Sequence, residues 1–222
     1  MAARRCGRIA SRAARWVVPS LLAAGLSAAQ AQPRPPSAPV QTPLEDLCLT
    51  PPVTTASSAG ASLPVTVRLP AVRLRSHSGP SVEFATSLDA QRPVLLNFIF
   101  TSCTTVCPPM SQIFAALQDR LGTRREQVQM VSVSIDPEHD SPARLRDYAA
   151  RFSAGAQWRF HTGSTDAIDA VQRAFNVYRP DKMGHTPVTF VRPKGSAPGQ
   201  WRRLDGYATP DELLRVAFAT AP

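Results

Sequence analysis

The feature that most constrains the fold is a nearly continuous apolar run at residues 94–100, with the sequence VLLNFIF. Such a run, without alternating polar residues, is typical of a strand buried on both faces of a sheet. Pro108 and Pro109 stop the strand, and residues 110–121 then carry apolar side chains at helical spacing before Gly122. The sequence therefore predicts a central strand, a short loop and a helix, in that order.

Strand and helix patterns alternate through the rest of this region. Before the central strand, three short strands are predicted at residues 65–69, 72–74 and 81–84. After the first helix come a buried strand, two helices and two further strands, predicted at residues 128–135, 142–152, 164–175, 186–191 and 199–207. Thr209 and Glu212 have the spacing of a capping box that opens a last helix. From the central strand onward the order β-α-β-α-(β)-α-β-β-α predicts an α/β sandwich, with helices flanking a central mixed sheet.

The first 31 residues have the composition of an export signal. An arginine-rich start is followed by an apolar stretch at residues 16–29 and by Ala29-Gln30-Ala31, a small-x-small pattern that signal peptidases accept. The apolar stretch is shorter than the roughly 20 residues that span a bilayer. We therefore expect a cleaved signal peptide at residues 1–31 and a protein of the periplasm or cell envelope. An uncleaved leader would instead associate the protein with the membrane.

Two segments are expected in the exported chain. Residues 32–62 are rich in Pro, Ala, Ser and Thr and carry few apolar side chains, so they are predicted to form a flexible linker. Residues 63–222 are predicted to form a single folded domain.

The positive charge of the chain does not indicate a nucleic-acid partner. The formal net charge is +9, and five of these charges come from leader arginines: Arg4, Arg5, Arg8, Arg12 and Arg15. The remaining excess of +4 is not gathered into a basic stripe. Nucleic-acid binding is therefore not expected.

Cysteine usage indicates that at least one thiol is not part of a structural disulfide. Once Cys6 has left with the leader, Cys48, Cys103 and Cys107 remain. In an oxidising compartment an odd thiol stays free, holds a metal or pairs with another molecule. Cys48 lies in the linker and is either an incidental thiol or a third sulfur that meets the other two or a partner.

Cys103 and Cys107 lie between the central strand and the helix. Open α/β sheets place their ligands at the carboxyl ends of strands, and the positive end of a helix dipole stabilises thiolates. Cysteines four positions apart can close a disulfide or hold one soft ion. A structural disulfide is the alternative, but it would enclose only three residues and would constrain little chain. We therefore predict a functional dithiol.

Two thiolates need a further ligand to make a stable metal site, and histidine is the candidate. Soft sulfur with imidazole favours Cu(I), and Cu(II) also accepts imidazole. His77, His139 and His161 are interpreted as ordinary surface or core residues. His185 differs because, in a thioredoxin-type sheet, the strand that it opens would begin beside the dithiol loop.

Three segments resemble the signatures of the SCO/SenC family of copper proteins: FIFTSCTTVCPPMSQIFAALQ, VSVSIDPEHDSPARLRDYAARF and GHTPVTFVRPKG. They occur in the family's order and span most of the chain from about residue 63 onward. The resemblance implies a thioredoxin-like fold, a redox-active Cys103–Cys107 dithiol, and copper bound by Cys103, Cys107 and His185. It also implies a role at the binuclear copper centre of cytochrome c oxidase, by copper delivery, by reduction of the recipient's cysteines, or by both. The partner would be the copper-bearing oxidase subunit or another copper chaperone.

The sequence departs from the family pattern at two places. Residues 104–106 are Thr-Thr-Val, where family members usually carry a proline and an acidic residue between the cysteines. Gly184 precedes His185, where many members have an acidic residue.

Pro187 occupies the strand-entry position at which thioredoxin-like oxidoreductases place a cis-proline.

Three functions are compatible with these residues. The leading hypothesis is an envelope copper chaperone that uses Cys103, Cys107 and His185. The second is a metal-independent thiol–disulfide oxidoreductase, which needs the two cysteines but not His185. The third is a thiol peroxidase on the same fold, for which the sequence offers no recognisable threonine-rich, arginine-supported pocket.

Overall fold

The computed structural model describes residues 62–219. The predicted signal peptide, Cys48 and nearly all of the predicted linker lie outside this range, so those interpretations stay predictions. None of the helices within residues 62–219 combines the length and the apolar character that a membrane span requires.

The described residues form eight strands and five α-helices. The strands are β1 (Leu63–Thr66), β2 (Arg73–Ser76), β3 (Ser81–Glu83), β4 (Val94–Ile99), β5 (Gln129–Ser134), β6 (Trp158–Thr162), β7 (Val188–Arg192) and β8 (Gln200–Asp205). The helices are α1 (Phe84–Ser87), α2 (Cys107–Leu121), α3 (Pro142–Arg151), α4 (Thr165–Ala174) and α5 (Pro210–Ala217). Two 3-10 turns, Gly122–Gln127 and Lys182–Gly184, lie between them.

The strands make one mixed sheet in the order β1-β8-β7-β4-β5-β6-β2-β3. Its centre is parallel, because β5 pairs in parallel with both β4 and β6. On the other side of β4, β7 runs antiparallel, with Asn97 opposite Thr189. The amino end of β7 therefore lies beside the carboxyl end of β4, which is the arrangement that the sequence analysis expected for the strand after His185.

Strand β4 is the centre of the core, and all six of its residues are buried. Its side chains alternate between two apolar clusters: Leu95 packs with residues of α2, α3 and α5, and Leu96 packs with residues of α4. Helices therefore cover both faces of the sheet. The predicted α/β sandwich with a central mixed sheet is confirmed.

Several element boundaries differ from the sequence prediction. Helix α2 begins at Cys107 rather than at residue 110, because Pro108 and Pro109 occupy the first turn, where a proline needs no hydrogen-bond partner for its nitrogen.

The strand written in brackets in the predicted order is present as β6. The capping box of Thr209 and Glu212 is confirmed at the start of α5. No cis peptide bond occurs within residues 62–219, so Pro187 is not a cis-proline here.

Candidate functional site

The two cysteines lie at the junction of β4 and α2. Cys103 is in the loop after β4, and Cys107 is the first residue of α2. Both are free thiols, with 7% of Cys103 and none of Cys107 exposed. The backbone N–H of Cys107 donates to the Cys103 sulfur over 3.3 Å. Because Val106 provides no side-chain cap, the Cys103 sulfur takes the place of a capping oxygen at the start of α2.

The surroundings separate the pKa values of the two thiols. Burial raises the pKa of Cys103, but hydrogen bonds from Cys107 and from the backbones of Thr105 and Val106 outweigh it, and the pKa is lowered. Burial strongly raises the pKa of Cys107; hydrogen bonding to the backbone at residue 100 opposes this rise, and the neighbouring Cys103 adds to it. Cys103 is therefore the thiol that ionises first, and Cys107 is its protonated neighbour.

Asp140 anchors the loop that carries the cysteines. Asp140 lies in the loop after β5 and is fully buried. The carboxylate accepts hydrogen bonds from the backbone N–H of Thr101 at 3.0 Å, the hydroxyl of Thr101 at 2.5 Å and the hydroxyl of Ser134 at 2.6 Å. Its negative charge also raises the pKa of Cys107. Asp140 therefore fixes the first residue after Phe100 and acts on the electrostatics of the dithiol.

Tyr148 is a second polar group behind the dithiol. It lies on α3, is 3% exposed, and its hydroxyl is 2.9 Å from the hydroxyl of Ser111 on α2. Burial raises the pKa of Tyr148; the contact with Ser111 opposes this, and the charges of Cys107 and Cys103 add to it. The sequence analysis named neither Tyr148 nor Asp140 as a site residue. Both lie in the second of the three family-like segments, which was the available signal.

His185 lies near the carboxyl end of β4, as the dithiol loop does, but its ring is turned towards the β4 backbone. Its side chain is 8% exposed, and Nε2 lies 3.0 Å from the carbonyl oxygen of Phe98. A carbonyl oxygen only accepts, so Nε2 donates, and in the neutral ring Nδ1 carries the lone pair. Burial lowers the pKa of His185; the Phe98 carbonyl opposes this, and the charge of Arg179 adds to it. The ring is therefore held in its neutral form, which is the form that binds metals.

Two of the other three histidines have hydrogen-bond partners other than the cysteines. His77 lies in the turn after β2, and its Nδ1 accepts the backbone N–H of Phe160. His139 donates through Nδ1 to the carboxylate of Asp136 over 3.0 Å. His161 is buried in β6, and burial lowers its pKa to about 4.

The three predicted ligands do not form a single cluster in this conformation. Within residues 62–219, no group of three or more His, Cys, Asp or Glu side chains is arranged to hold a metal ion. The Cys107 backbone contacts the Cys103 sulfur, whereas the His185 ring is hydrogen-bonded to the β4 backbone. The structure thus contains a preformed dithiol and a neutral histidine near the carboxyl end of β4.

Comparison with known proteins identifies the family. The SCO1/SenC family model matches residues 73–197, which is more than half of the chain. The SCO1 protein homolog of Bacillus subtilis is 41% identical over 70 residues, which are 31% of this chain and 36% of the relative. The alignments with curated relatives cover between 28% and 66% of the relatives' own lengths.

Solved structures share the fold. Copper-bound ScoI from Bradyrhizobium japonicum matches with a TM-score of 0.54 and 23% identity, over 70% of this chain and 96% of that one. BsSco, described as a member of the Sco family of cytochrome c oxidase assembly proteins, matches with a TM-score of 0.56 and 24% identity, over 69% and 95% of the two chains. The thioredoxin-like architecture expected from the sequence is therefore confirmed. The match to the family model, together with this fold, shows that the chain belongs to the SCO1/SenC family.

Proposed function

We propose that the protein binds copper through Cys103, Cys107 and His185 and acts in assembling the copper-bearing part of cytochrome c oxidase. The observation that carries the proposal is the pair of free thiols at the entrance of α2, where the backbone N–H of Cys107 donates to the Cys103 sulfur. The action on the oxidase is copper delivery, reduction of the recipient's cysteines, or both.

The dithiol suits a soft ion. Thiolates favour Cu(I) over the harder divalent ions of the cell, and both sulfurs must be deprotonated to act as ligands. Cys103 loses its proton more readily than an ordinary thiol, because its pKa is lowered. Cys107 must lose a proton that its burial holds tightly. Copper binding is therefore expected to release a proton from Cys107.

His185 suits the role of third ligand. Metal-binding histidines commonly donate their second ring N–H to a backbone carbonyl, which fixes the tautomer and orients the ring. The hydrogen bond from Nε2 to Phe98 is of this kind and leaves the lone pair of Nδ1 to bind the metal ion. Imidazole matters more to Cu(II) than to Cu(I), which two sulfurs alone can hold. Because the three groups are not clustered, the His185 and dithiol segments must approach each other for His185 to bind.

A metal-independent thiol–disulfide oxidoreductase is the second candidate, and the separated pKa values favour it. An exchange enzyme needs one thiol that ionises readily to attack a disulfide and one that stays protonated until the mixed disulfide forms. Cys103 and Cys107 have these properties. His185 has no part in such a reaction, so its removal distinguishes the two functions.

The proposed place of action is the cell envelope, after cleavage of residues 1–31. The partner is the copper-bearing subunit of cytochrome c oxidase or another copper chaperone. Two similar proteins support a copper-related oxidase partner: ScoI of Bradyrhizobium japonicum, solved with copper bound, and BsSco, described as belonging to a family of oxidase assembly proteins.

Anaerobic copper titration of the reduced and oxidised protein tests the proposal. The reduced chain should bind about one Cu(I), and the Cys103–Cys107 disulfide form essentially none, because both thiolates are consumed. His185→Ala should weaken Cu(I) binding partly, weaken Cu(II) binding far more, and leave dithiol exchange nearly unchanged. His77→Gln is the matched control, because β2 lies four places along the sheet from β7 and glutamine keeps a hydrogen-bond acceptor. If His185→Ala leaves both copper states unaffected while the wild-type dithiol still exchanges with disulfide substrates, the oxidoreductase function replaces the copper function.

A further inference from the structure

We propose that the ion pair between Lys182 and Asp136 holds the segment before His185 against the dithiol end of the sheet, which makes Lys182 a positioning residue for His185. We call this pair the Lys182–Asp136 latch. The inference rests on the proposed role of His185 as a copper ligand, and it adds a residue outside the predicted ligand set.

The latch is a close and partly buried contact. Lys182 Nζ lies 2.6 Å from Oδ2 of Asp136. The Asp136 side chain is 6% exposed and that of Lys182 is 36% exposed. The other carboxylate oxygen of Asp136 accepts from Nδ1 of His139 at 3.0 Å. Because the carboxylate is shielded from water, this pair should contribute more than an exposed surface pair.

Lys182 also contacts the segment that carries the dithiol. Its ammonium group lies 5.7 Å from the centre of the Phe100 ring, within the range of a cation–π interaction. Phe100 is the residue directly after β4, and its carbonyl oxygen accepts the backbone N–H of Cys103 at 3.1 Å. One lysine side chain therefore joins the His185 segment both to the loop after β5 and to the start of the dithiol loop.

The backbone around His185 is held differently on its two sides. On the carboxyl side, Pro187 accepts a hydrogen bond from Gly206 at 2.9 Å, and β7 begins at Val188 within the sheet. On the amino side lies the single 3-10 turn Lys182–Gly184, with His185 N–H donating to Lys182 O at 3.1 Å. The middle residue of this turn, Met183, is 68% exposed and so packs little against the core. Within this turn the Asp181 carboxylate accepts the N–H of Met183 at 2.9 Å, and the latch ties the turn to the loop after β5.

This restraint has a consequence for copper. A ligand held close to its partners costs less conformational entropy to engage than one on a free segment. Without the latch, more of the segment before His185 would have to be ordered when His185 binds copper. Cu(II), which depends on imidazole, should be affected, whereas Cu(I) held by two thiolates should not.

Lys182→Met tests the latch, with Lys194→Met as the matched control. Lys194 is the only other lysine in the chain, it is exposed, and it makes no ion pair with any residue in 62–219. The copper-free readout is amide hydrogen exchange followed by NMR. In Lys182→Met the amides of Gly184 and His185 should exchange about tenfold faster, while those of β4 should be unchanged. Lys194→Met should match wild type, and Lys182→Arg should restore protection.

The copper readout is Cu(II) affinity measured anaerobically by rapid mixing, together with the imidazole signature in the Cu(II) electron paramagnetic resonance spectrum. Lys182→Met should bind Cu(II) about fivefold more weakly, with unchanged Cu(I) affinity. Suppose that His185→Ala weakens Cu(II) binding while Lys182→Met matches wild type in both amide hydrogen exchange and Cu(II) affinity. The latch proposal is then wrong and the proposed function stands. If His185→Ala has no effect on either copper state, the proposed function is wrong, and with it the copper role of the latch.

Discussion

Removing the carboxylate of Asp140 should destabilise the loop that carries the dithiol. Asp140→Ala leaves three donors without their acceptor: the N–H and hydroxyl of Thr101 and the hydroxyl of Ser134. A hydrogen bond to a charged group contributes about 1.5–3 kcal/mol, and a buried donor left unpaired costs about 1–3 kcal/mol. The two hydroxyls can turn to other acceptors, but the backbone N–H of Thr101 cannot. We expect a loss of about 3 kcal/mol in the free energy of unfolding, or roughly 6–12 °C in Tm for a domain of this size.

Asp140→Asn is the matched variant, because it removes the charge and keeps the shape. The amide oxygen can take the place of Oδ2, which accepts from Thr101 N–H and Ser134. The amide nitrogen can then donate to the Thr101 hydroxyl, which also accepts hydrogen bonds. The cost should therefore be about 1 kcal/mol. In both variants the pKa of Cys107 should fall, because the Asp140 charge that raises it is gone.

Urea unfolding of the reduced protein measures the free energy, and alkylation at a series of pH values measures the reactivity of the thiols. Equal stability losses in the two variants would mean that charge, and not the hydrogen bonds to Thr101 and Ser134, makes the contribution. A loss below about 1 kcal/mol in Asp140→Ala would refute the anchoring role altogether.

Two further predictions concern titration. Because its pKa is lowered, Cys103 should react with iodoacetamide at a lower pH than an ordinary thiol of pKa about 8.5, whereas Cys107 should stay unmodified until well above that pH. Mass spectrometry of digests over a pH series measures the labelling of each thiol. Equal labelling of the two thiols would contradict the prediction. Burial lowers the pKa of His161 to about 4 in the folded chain, so the unfolded chain takes up its proton first as the pH falls. The free energy of unfolding of wild type should then fall by up to about 3 kcal/mol between pH 6.5 and 4, and that of His161→Gln should not show this loss. Urea unfolding at pH 7 and 4.5 measures it. The same loss in both proteins would refute the assignment.

The parts of the fold that local sequence specifies were predictable. The apolar run of β4 fixes a strand buried on both faces, and Thr209 with Glu212 fixes the start of α5. The dithiol was placed at a strand-to-helix junction from its neighbours in sequence. The predicted start of α2 is three residues late, because the prolines at 108 and 109 predict the end of the strand, whereas the structure places them in the first turn of the helix.

The contacts that surround the site were not predictable from local sequence. Asp140 meets Thr101, 39 positions away, only after β4 and β5 pair in the sheet. Lys182 and Asp136 are 46 positions apart, and neither belongs to a motif that names the other. The ring of His185 binds a backbone carbonyl, and a carbonyl leaves no mark on residue identity. Polar pairs of this kind depend on tertiary register, which a pattern of apolar residues does not encode.

The position of β4 between β5 and β7 makes the two halves of the site unequal in folding. Cys103 and Cys107 need only a local turn to meet, because only four positions separate them. His185 reaches the carboxyl end of β4 only by pairing across 87 positions of sequence, through one of the most non-local contacts of the sheet. An unfolded chain therefore needs only a local turn to bring its two thiols together, but it lacks both the imidazole and the hydrogen bonds that lower the pKa of Cys103. Any property that depends on His185 reports that the antiparallel half of the sheet has formed.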